Sequence, residues 1–192
     1  MKRIAILASG EGTNAENIIR YFSERKTAKV VVVITNKAQA GVLNRADKLG
    51  IPTEFIPAQD FTEGRALEVL HRYQTDFIAL AGFLLRVPDD ILHDYPNKIV
   101  NIHPALLPKF GGKGMYGSRV HQAVIASHEK ESGITIHYIN EQYDEGNTIF
   151  QATCPVLPTD TPDTLAIRVH QLEYEYFPRV IEATILGKNL SI

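Results

Sequence analysis

A doubly wound, mostly parallel α/β sheet is what this sequence predicts, with an antiparallel C-terminal portion and a long C-terminal helix. Three observations predict it. Short, continuous apolar runs, as in strands buried on both faces, alternate with segments of helical period. These runs stop at glycine, proline or a polar residue, as strands feeding turns do. The chain has 192 residues, the length of one α/β domain rather than two.

The elements follow in order. Ile4 to Ala8 is the first buried strand, stopped by Ser9-Gly10. Asn14 to Phe22 carries Ile18, Ile19 and Phe22 at helical spacing. Val30 to Thr35 is a second buried strand, and Asn36 begins the turn after it. Leu43 to Leu49 reads as a short helix ended by Gly50 and Pro52, and Thr53 to Ile56 as a weaker strand. Ala66 to Tyr73 is helical, Phe77 to Ala81 a strand closed by Gly82, and Ile99 to His103 a strand stopped by Pro104. In such a sheet ligands lie beyond the carboxyl ends of the strands. Further on, Ile134 to Ile139 alternates, and Thr148 to Val156 is placed to pair with it antiparallel. Thr161-Pro162-Asp163 supplies an N-cap, a proline at the first helical position and an acid in the first turn. The helix that follows has the stripe Leu165, Val169, Leu172, Tyr176 and Val180, which Pro178 is expected to kink or divide.

Composition bounds the function. With 44% apolar and 22% charged residues, the chain is globular. The formal charge of −2 argues against a nucleic-acid surface, and no run approaches a membrane span. The opening apolar run is too short for a signal peptide and ends in a glycine turn, so a cytoplasmic location is expected. Cys154 reads as a small apolar residue in a strand, with no activating motif around it.

Three places carry chemistry. Ser9-Gly10-Glu11-Gly12-Thr13-Asn14 joins a strand to a helix whose first N–H groups are free to meet an anion. It lacks the lysine of a phosphate-binding Walker loop and the third glycine of a dinucleotide site, and a tight turn with no ligand explains it equally well. Glu11 is expected to face solvent. In Asn101-Ile102-His103-Pro104, period two puts Asn101 and His103 on one face at a strand's carboxyl end, where an amide and an imidazole can stabilise an oxyanion, although a satisfied structural pair explains them about equally well. Tyr143-Asp144-Glu145-Gly146 is either turn chemistry or a carboxylate for His103, which would favour the imidazolium. Spacing alone does not decide that contact. His103, His137 and Asp144 have no short ligand spacing, so no metal is expected.

Those residues, with Ala81-Gly82-Phe83, the run from Asn101 to Pro108, His121-Gln122-Ala123, Gly133 to Tyr138 and the segment around Glu173, resemble in order the motifs of the phosphoribosylglycinamide formyltransferase family. The resemblance covers the chain from about Arg3 to about Gly187, and Asn-x-His-Pro-x-Leu-Leu-Pro is specific to formyl-transferring folate enzymes. It implies a Rossmann-like formyltransferase fold in one domain, residues 1–192. Residues 1–100 would form the phosphate and ribonucleotide half, and 101–192 the catalytic and folate-binding half. It implies transfer of the formyl group of 10-formyltetrahydrofolate to the amine of glycinamide ribonucleotide in purine biosynthesis. Asn101 and His103 would flank the formyl carbon, and Asp144 would fix His103. Gly12, Thr13 and Asn14 would bind the phosphate and Glu173 the sugar or glycinamide end. Leu84, Leu85, Arg86 and Val87 would lie against folate with Asn101, and Arg65 would meet its glutamate tail. The implied partners are these two small molecules, with no metal, nucleic acid or membrane, in a monomer or homodimer.

This sequence departs from the family at two places. The family has Met-Arg after the phenylalanine where this chain has Leu84-Leu85-Arg86, and Phe110 to Ser118 is longer and richer in glycine. That loop reads as a mobile flap near the phosphate, with Lys113 as an anion contact. His170 stands three places before Glu173, where some relatives carry other polar residues. Direct attack of the amine on the formyl carbon would give an oxyanion that Asn101 and a protonated His103 stabilise. A methionyl-tRNA formyltransferase would add a basic C-terminal domain, and a formyltetrahydrofolate hydrolase an N-terminal regulatory one. A binding module would need the glycine turn but not Asn101, His103 and Asp144 together.

Overall fold

The computed structural model describes residues 1–142 and 144–188; Tyr143, named above beside Asp144, lies outside them. A seven-stranded sheet in the order β3-β2-β1-β4-β5-β6-β7 organises the chain. The first half runs β1 (Lys2–Leu7), α1 (Thr13–Arg25), β2 (Ala28–Thr35), α2 (Gly41–Lys48), β3 (Thr53–Phe55), α3 (Ala58–Thr62), α4 (Arg65–Arg72) and β4 (Phe77–Leu80). The second runs α5 (Asp89–Asp94), β5 (Ile99–His103), α6 (Ser118–Ala126), β6 (Glu131–Tyr138), β7 (Thr148–Pro155) and α7 (Pro162–Leu186). β1 to β5 pair in parallel. β6 then turns back antiparallel on β5, and β7 on β6.

The alternation of strand side chains explains why both faces are covered. Ile4, Ile6 and Ala8 enter a core shared with Ile18 and Phe22 of α1 and Val169 and Phe177 of α7. Ala5 and Leu7 point the other way, into a core built with Phe61, Leu70 and Ile91 from α3, α4 and α5. The sheet is continuous through the β4–β5 pairing, so the two expected halves share one sheet.

Two expectations about helices change. α3, α5 and α6 were not read from the sequence; the last occupies the segment directly after the glycine-rich loop. Pro178 does not divide α7, which runs for 25 residues through it. Proline removes the N–H that would reach the carbonyl four residues back, here that of Tyr174. Asn17 Nδ2 of α1 donates to that carbonyl instead, at 2.8 Å. The stripe is also rotated slightly from the expected one. Glu173 and Phe177 are buried in it, whereas Leu172 and Tyr176 are only half-buried. Thr161 caps α7 as expected, in a reciprocal capping box with Thr164.

Candidate active site

The carboxyl ends of β1, β2 and β4 are tied together by Ser9. Its hydroxyl donates to Asn36 Oδ1 at 2.6 Å and accepts the Leu84 N–H at 2.9 Å. The turn then passes through Gly12, whose φ of 77° and lack of a Cβ are both required: a Cβ there would stand 2.4 Å from Val42 Cγ2. α2 can therefore pack against the start of α1. No side chain caps α1, so the first-turn N–H groups of Thr13 and Asn14 face outward without a capping acceptor. Glu11 is exposed, as expected, with its carboxylate against Gly41.

Asn14 and Glu173, assigned to one substrate on resemblance, are in direct contact. Asn14 Nδ2 donates to Glu173 Oε2 at 2.8 Å, and His170 Nδ1 lies 2.7 Å from the same oxygen. Glu173 is buried, and these donors are what a buried carboxylate needs. The buried His121 of α6 completes the cluster, its ring edge-on to His170 with centroids 6.4 Å apart. Asn14 Oδ1 and His121 Nδ1 are buried without a hydrogen-bond partner.

The second cluster stands on β5 and β6. Their antiparallel register sets Asn101 opposite His137 and His103 opposite Thr135. His137 Nδ1 lies 2.8 Å from the Tyr138 carbonyl. A carbonyl only accepts, so Nδ1 carries the proton and Nε2 accepts from Asn101 Nδ2, at 3.1 Å. One N–H of the Asn101 amide is thus fixed and the other is left to donate. His103 Nε2 donates to the Phe110 carbonyl at 2.8 Å, which turns Nδ1 to Asp144 Oδ2 at 3.5 Å. Asp144 also approaches His137 Nε2 at 3.6 Å and accepts the Gly112 N–H at 2.9 Å. The contact that spacing left open is therefore made, and His137 belongs to the same cluster.

The electrostatics correct one expectation. Burial pushes the proton affinity of His103 down by more than Asp144 raises it, so its pKa lies below the ordinary histidine value and the resting imidazole is neutral. For Asp144, burial acts upward, but the neighbouring His137 and His103 imidazoles and the Gly112 N–H favour the anion, outweigh it and hold the carboxyl below the usual range. Burial likewise lowers His121.

The loop after β5 serves this pair. Phe110 and Gly112 hold His103 and Asp144 through the backbone, and a Cβ on Gly111 would stand 3.3 Å from Asp144 Cβ. The first half of the expected phosphate flap thus closes over the histidine and carboxylate; Lys113 is exposed beyond it. Thr135, not singled out beforehand, braces the same loop by donating to the Ala105 carbonyl and accepting the Leu107 N–H.

The residues expected to face folate are less convergent. Leu84 is exposed, Leu85 packs on the second core and Val87 is buried in it. Arg86 pairs with Asp89 and reaches the Glu141 carbonyl, while Arg65 pairs with Glu68. A cavity of about 550 Å³ between the α3–α4 junction and α5 is lined by Gly64, Arg86 and Asp90, with Arg65 next to Gly64 in the chain. Among the described residues, no group of three or more histidine, cysteine or acidic side chains is arranged to hold a metal ion, and no helix is long and apolar enough to cross a membrane.

The family model described as formyl transferase matches residues 2–181. A chloroplastic phosphoribosylglycinamide formyltransferase of Arabidopsis thaliana is 39% identical over 95% of this chain, which spans 65% of that relative. The phosphoribosylglycinamide formyltransferase of Bacillus subtilis is 35% identical over 98% of this chain and 97% of its own. The crystal structure of glycinamide ribonucleotide transformylase 1 from Symbiobacterium toebii superposes with a TM-score of 0.90 at 33% identity, covering 97% of this chain and 89% of that one.

Proposed function

We propose that this chain, which belongs to the formyl transferase family, moves the formyl group of 10-formyltetrahydrofolate to the amine of glycinamide ribonucleotide. The observation that carries the reading is the meeting of Asn101, His103 and Asp144 at the end of β5. The Asn14–Glu173 pair, at the start of α1, completes it.

The acceptor phosphate lies at Gly12, Thr13 and Asn14, where free N–H groups and the positive end of α1 favour an anion. The acceptor's sugar or glycinamide end meets Glu173. The neutral amine attacks the formyl carbon; as the new C–N bond forms, the carbonyl electron pair moves to oxygen. The free N–H of Asn101 donates to that oxygen. Its negative charge is a second anionic neighbour for His103 beside Asp144, so the imidazole's proton affinity rises as the oxyanion develops. An imidazolium therefore arises in step with the charge it stabilises, as a ring that rests neutral takes the proton the amine loses when the C–N bond forms. Collapse breaks the bond to the folate nitrogen, to which His103 then passes that proton, returning to its neutral form. Folate lies along Leu84 to Val87, with Arg65 and Arg86 on the rim. The reaction is placed in the cytoplasm.

The test is a spectrophotometric assay of 10-formyltetrahydrofolate with and without glycinamide ribonucleotide. Deformylation that requires the ribonucleotide is expected. Formate release without it would make the chain a hydrolase, and no turnover in either case would refute transfer to this acceptor.

A further inference from the structure

The carboxyl group of Glu173 is buried: the residue is 4% exposed. Both of its hydrogen bonds, from Asn14 and from His170, fall on one oxygen, Oε2. Oε1 receives none from the described residues and is the oxygen left for a ligand. His170 is not a loose surface group either. Its side chain is 47% exposed, yet the ring is stacked on Tyr174, at 6.1 Å and 14° between planes, and edge-on to His121. Two aromatic contacts and a 2.7 Å bond thus fix one ring orientation against the carboxylate.

We propose that His170 is a positioning residue for the acceptor-binding carboxylate: it holds Oε2 so that Oε1 faces the acceptor's hydroxyl or amine donors, and its charge sets how strongly Oε1 attracts them. The inference rests on the reading of Glu173 as an acceptor contact. A carboxylate only accepts, so Nδ1 carries a proton in both charge states and Nε2 is the atom that titrates. Deprotonation therefore removes a positive charge beside Glu173 without breaking the hydrogen bond. The titratable groups facing the ring are Glu173 and Tyr174 on α7 and His121 on α6, while α1 contributes the uncharged Asn14. The Glu173 hydrogen bond raises the pKa of His170 above the ordinary value, and burial lowers that of His121. His170 is then the histidine of this cluster whose charged form the site favours.

The experiment compares the whole wild-type chain with His170→Asn, whose amide nitrogen falls near the place of Nδ1, and with His170→Ala. KM for glycinamide ribonucleotide and kcat are measured from about pH 6 to about pH 9 at saturating 10-formyltetrahydrofolate, a window that runs upward from the ordinary histidine value. The ratio of wild-type to His170→Asn KM cancels titration of the substrate phosphate. That ratio is expected to fall about three- to tenfold as pH rises, while the kcat ratio stays level. His170→Ala is expected to raise KM roughly tenfold across the range, with Asn restoring part of the loss. A level KM ratio in an active wild-type enzyme, or a KM for His170→Ala within about twofold of wild type, overturns the role of His170 alone. Absence of ribonucleotide-dependent turnover in wild type overturns the proposed function and this inference with it.

Discussion

Replacing Asp144 with asparagine isolates the charge that the second cluster places beside His103. The two side chains are nearly isosteric, and the amide oxygen can still accept the Gly112 N–H that holds the loop at 2.9 Å. What disappears is the negative charge 3.5 Å from His103 Nδ1. At an effective permittivity of ~20, unit charges at that separation attract by at most about 5 kcal/mol. Close opposite charges in proteins move a pKa by about 1–3 units, and each unit is a tenfold change in imidazolium. Burial already lowers His103, so loss of the Asp144 charge acts in the same direction as burial. Turnover of Asp144→Asn should therefore drop about 10- to 1000-fold, with KM for the ribonucleotide within about threefold of wild type. Steady-state kinetics from about pH 6 to about pH 9 read both quantities. A kcat near wild type, or a loss carried by KM alone, would refute the assignment of Asp144 to the charge of His103.

Other perturbations test separate parts of the argument. Gly12→Ala introduces a Cβ that would stand 2.4 Å from Val42 Cγ2 at a φ of 77°. It should lose about 1–3 kcal/mol in denaturant unfolding and raise the ribonucleotide KM at least about tenfold; an unchanged KM would remove this turn from the phosphate site. Glu182→Ala deprives Thr27 and Tyr21 of an acceptor at 2.6 Å each, far along α7 from the chemistry. It should cost about 2–4 kcal/mol and lower Tm by about 5–15 °C with kcat unchanged. Burial raises the Glu182 carboxyl, but the hydrogen bonds from Thr27, Tyr21 and Arg25 outweigh it and hold it low. Its stabilisation should be present above about pH 4.5 and vanish as pH falls through the depressed folded value, visible as a flatter acid limb of Tm in the variant. The histidines lowered by burial have the opposite chemistry and the same direction. His103 and His121 bind fewer protons folded than unfolded, so stability should decline as pH falls below about 6.5, and His121→Gln should reduce that slope in thermal scans.

Most of the sheet was legible because its strands are buried on both faces and read as apolar runs: Ile4 to Leu7 and Val30 to Ile34 have no other plausible place. The short helices were not. α3 and α5 have five and six residues, too few for periodicity, and each is anchored by one buried ring or branched chain, Phe61 and Ile91. Asn101 and His103 were legible from period two. The approach of Asp144 was not, since it depends on β6 returning antiparallel to β5 and on a loop that closes over both strands. His121 and His170 carried a partial signal, an i, i+3 pair of His170 with Glu173, but their meeting with Asn14 joins three helices. Pro178 misled for a similar reason: the donor that compensates it comes from Asn17, far away in the chain.

That compensation belongs to a longer seam. Along one side of α1, Asn14 donates to the Glu173 carboxylate, Asn17 to the Tyr174 carbonyl, and Tyr21 and Arg25 to the Glu182 carboxylate. The two helices are meshed like racks, and a slip of one turn, about 5.4 Å, would part every tooth at once. Glu173 is consequently gauged against the start of α1 through Asn14, one residue beyond Thr13. The interval between the anion turn and the carboxylate is thereby a fixed calibre of the molecule. If the proposed function holds, an acceptor whose phosphate and hydroxyls are spaced differently would meet a ruler that cannot stretch to suit it.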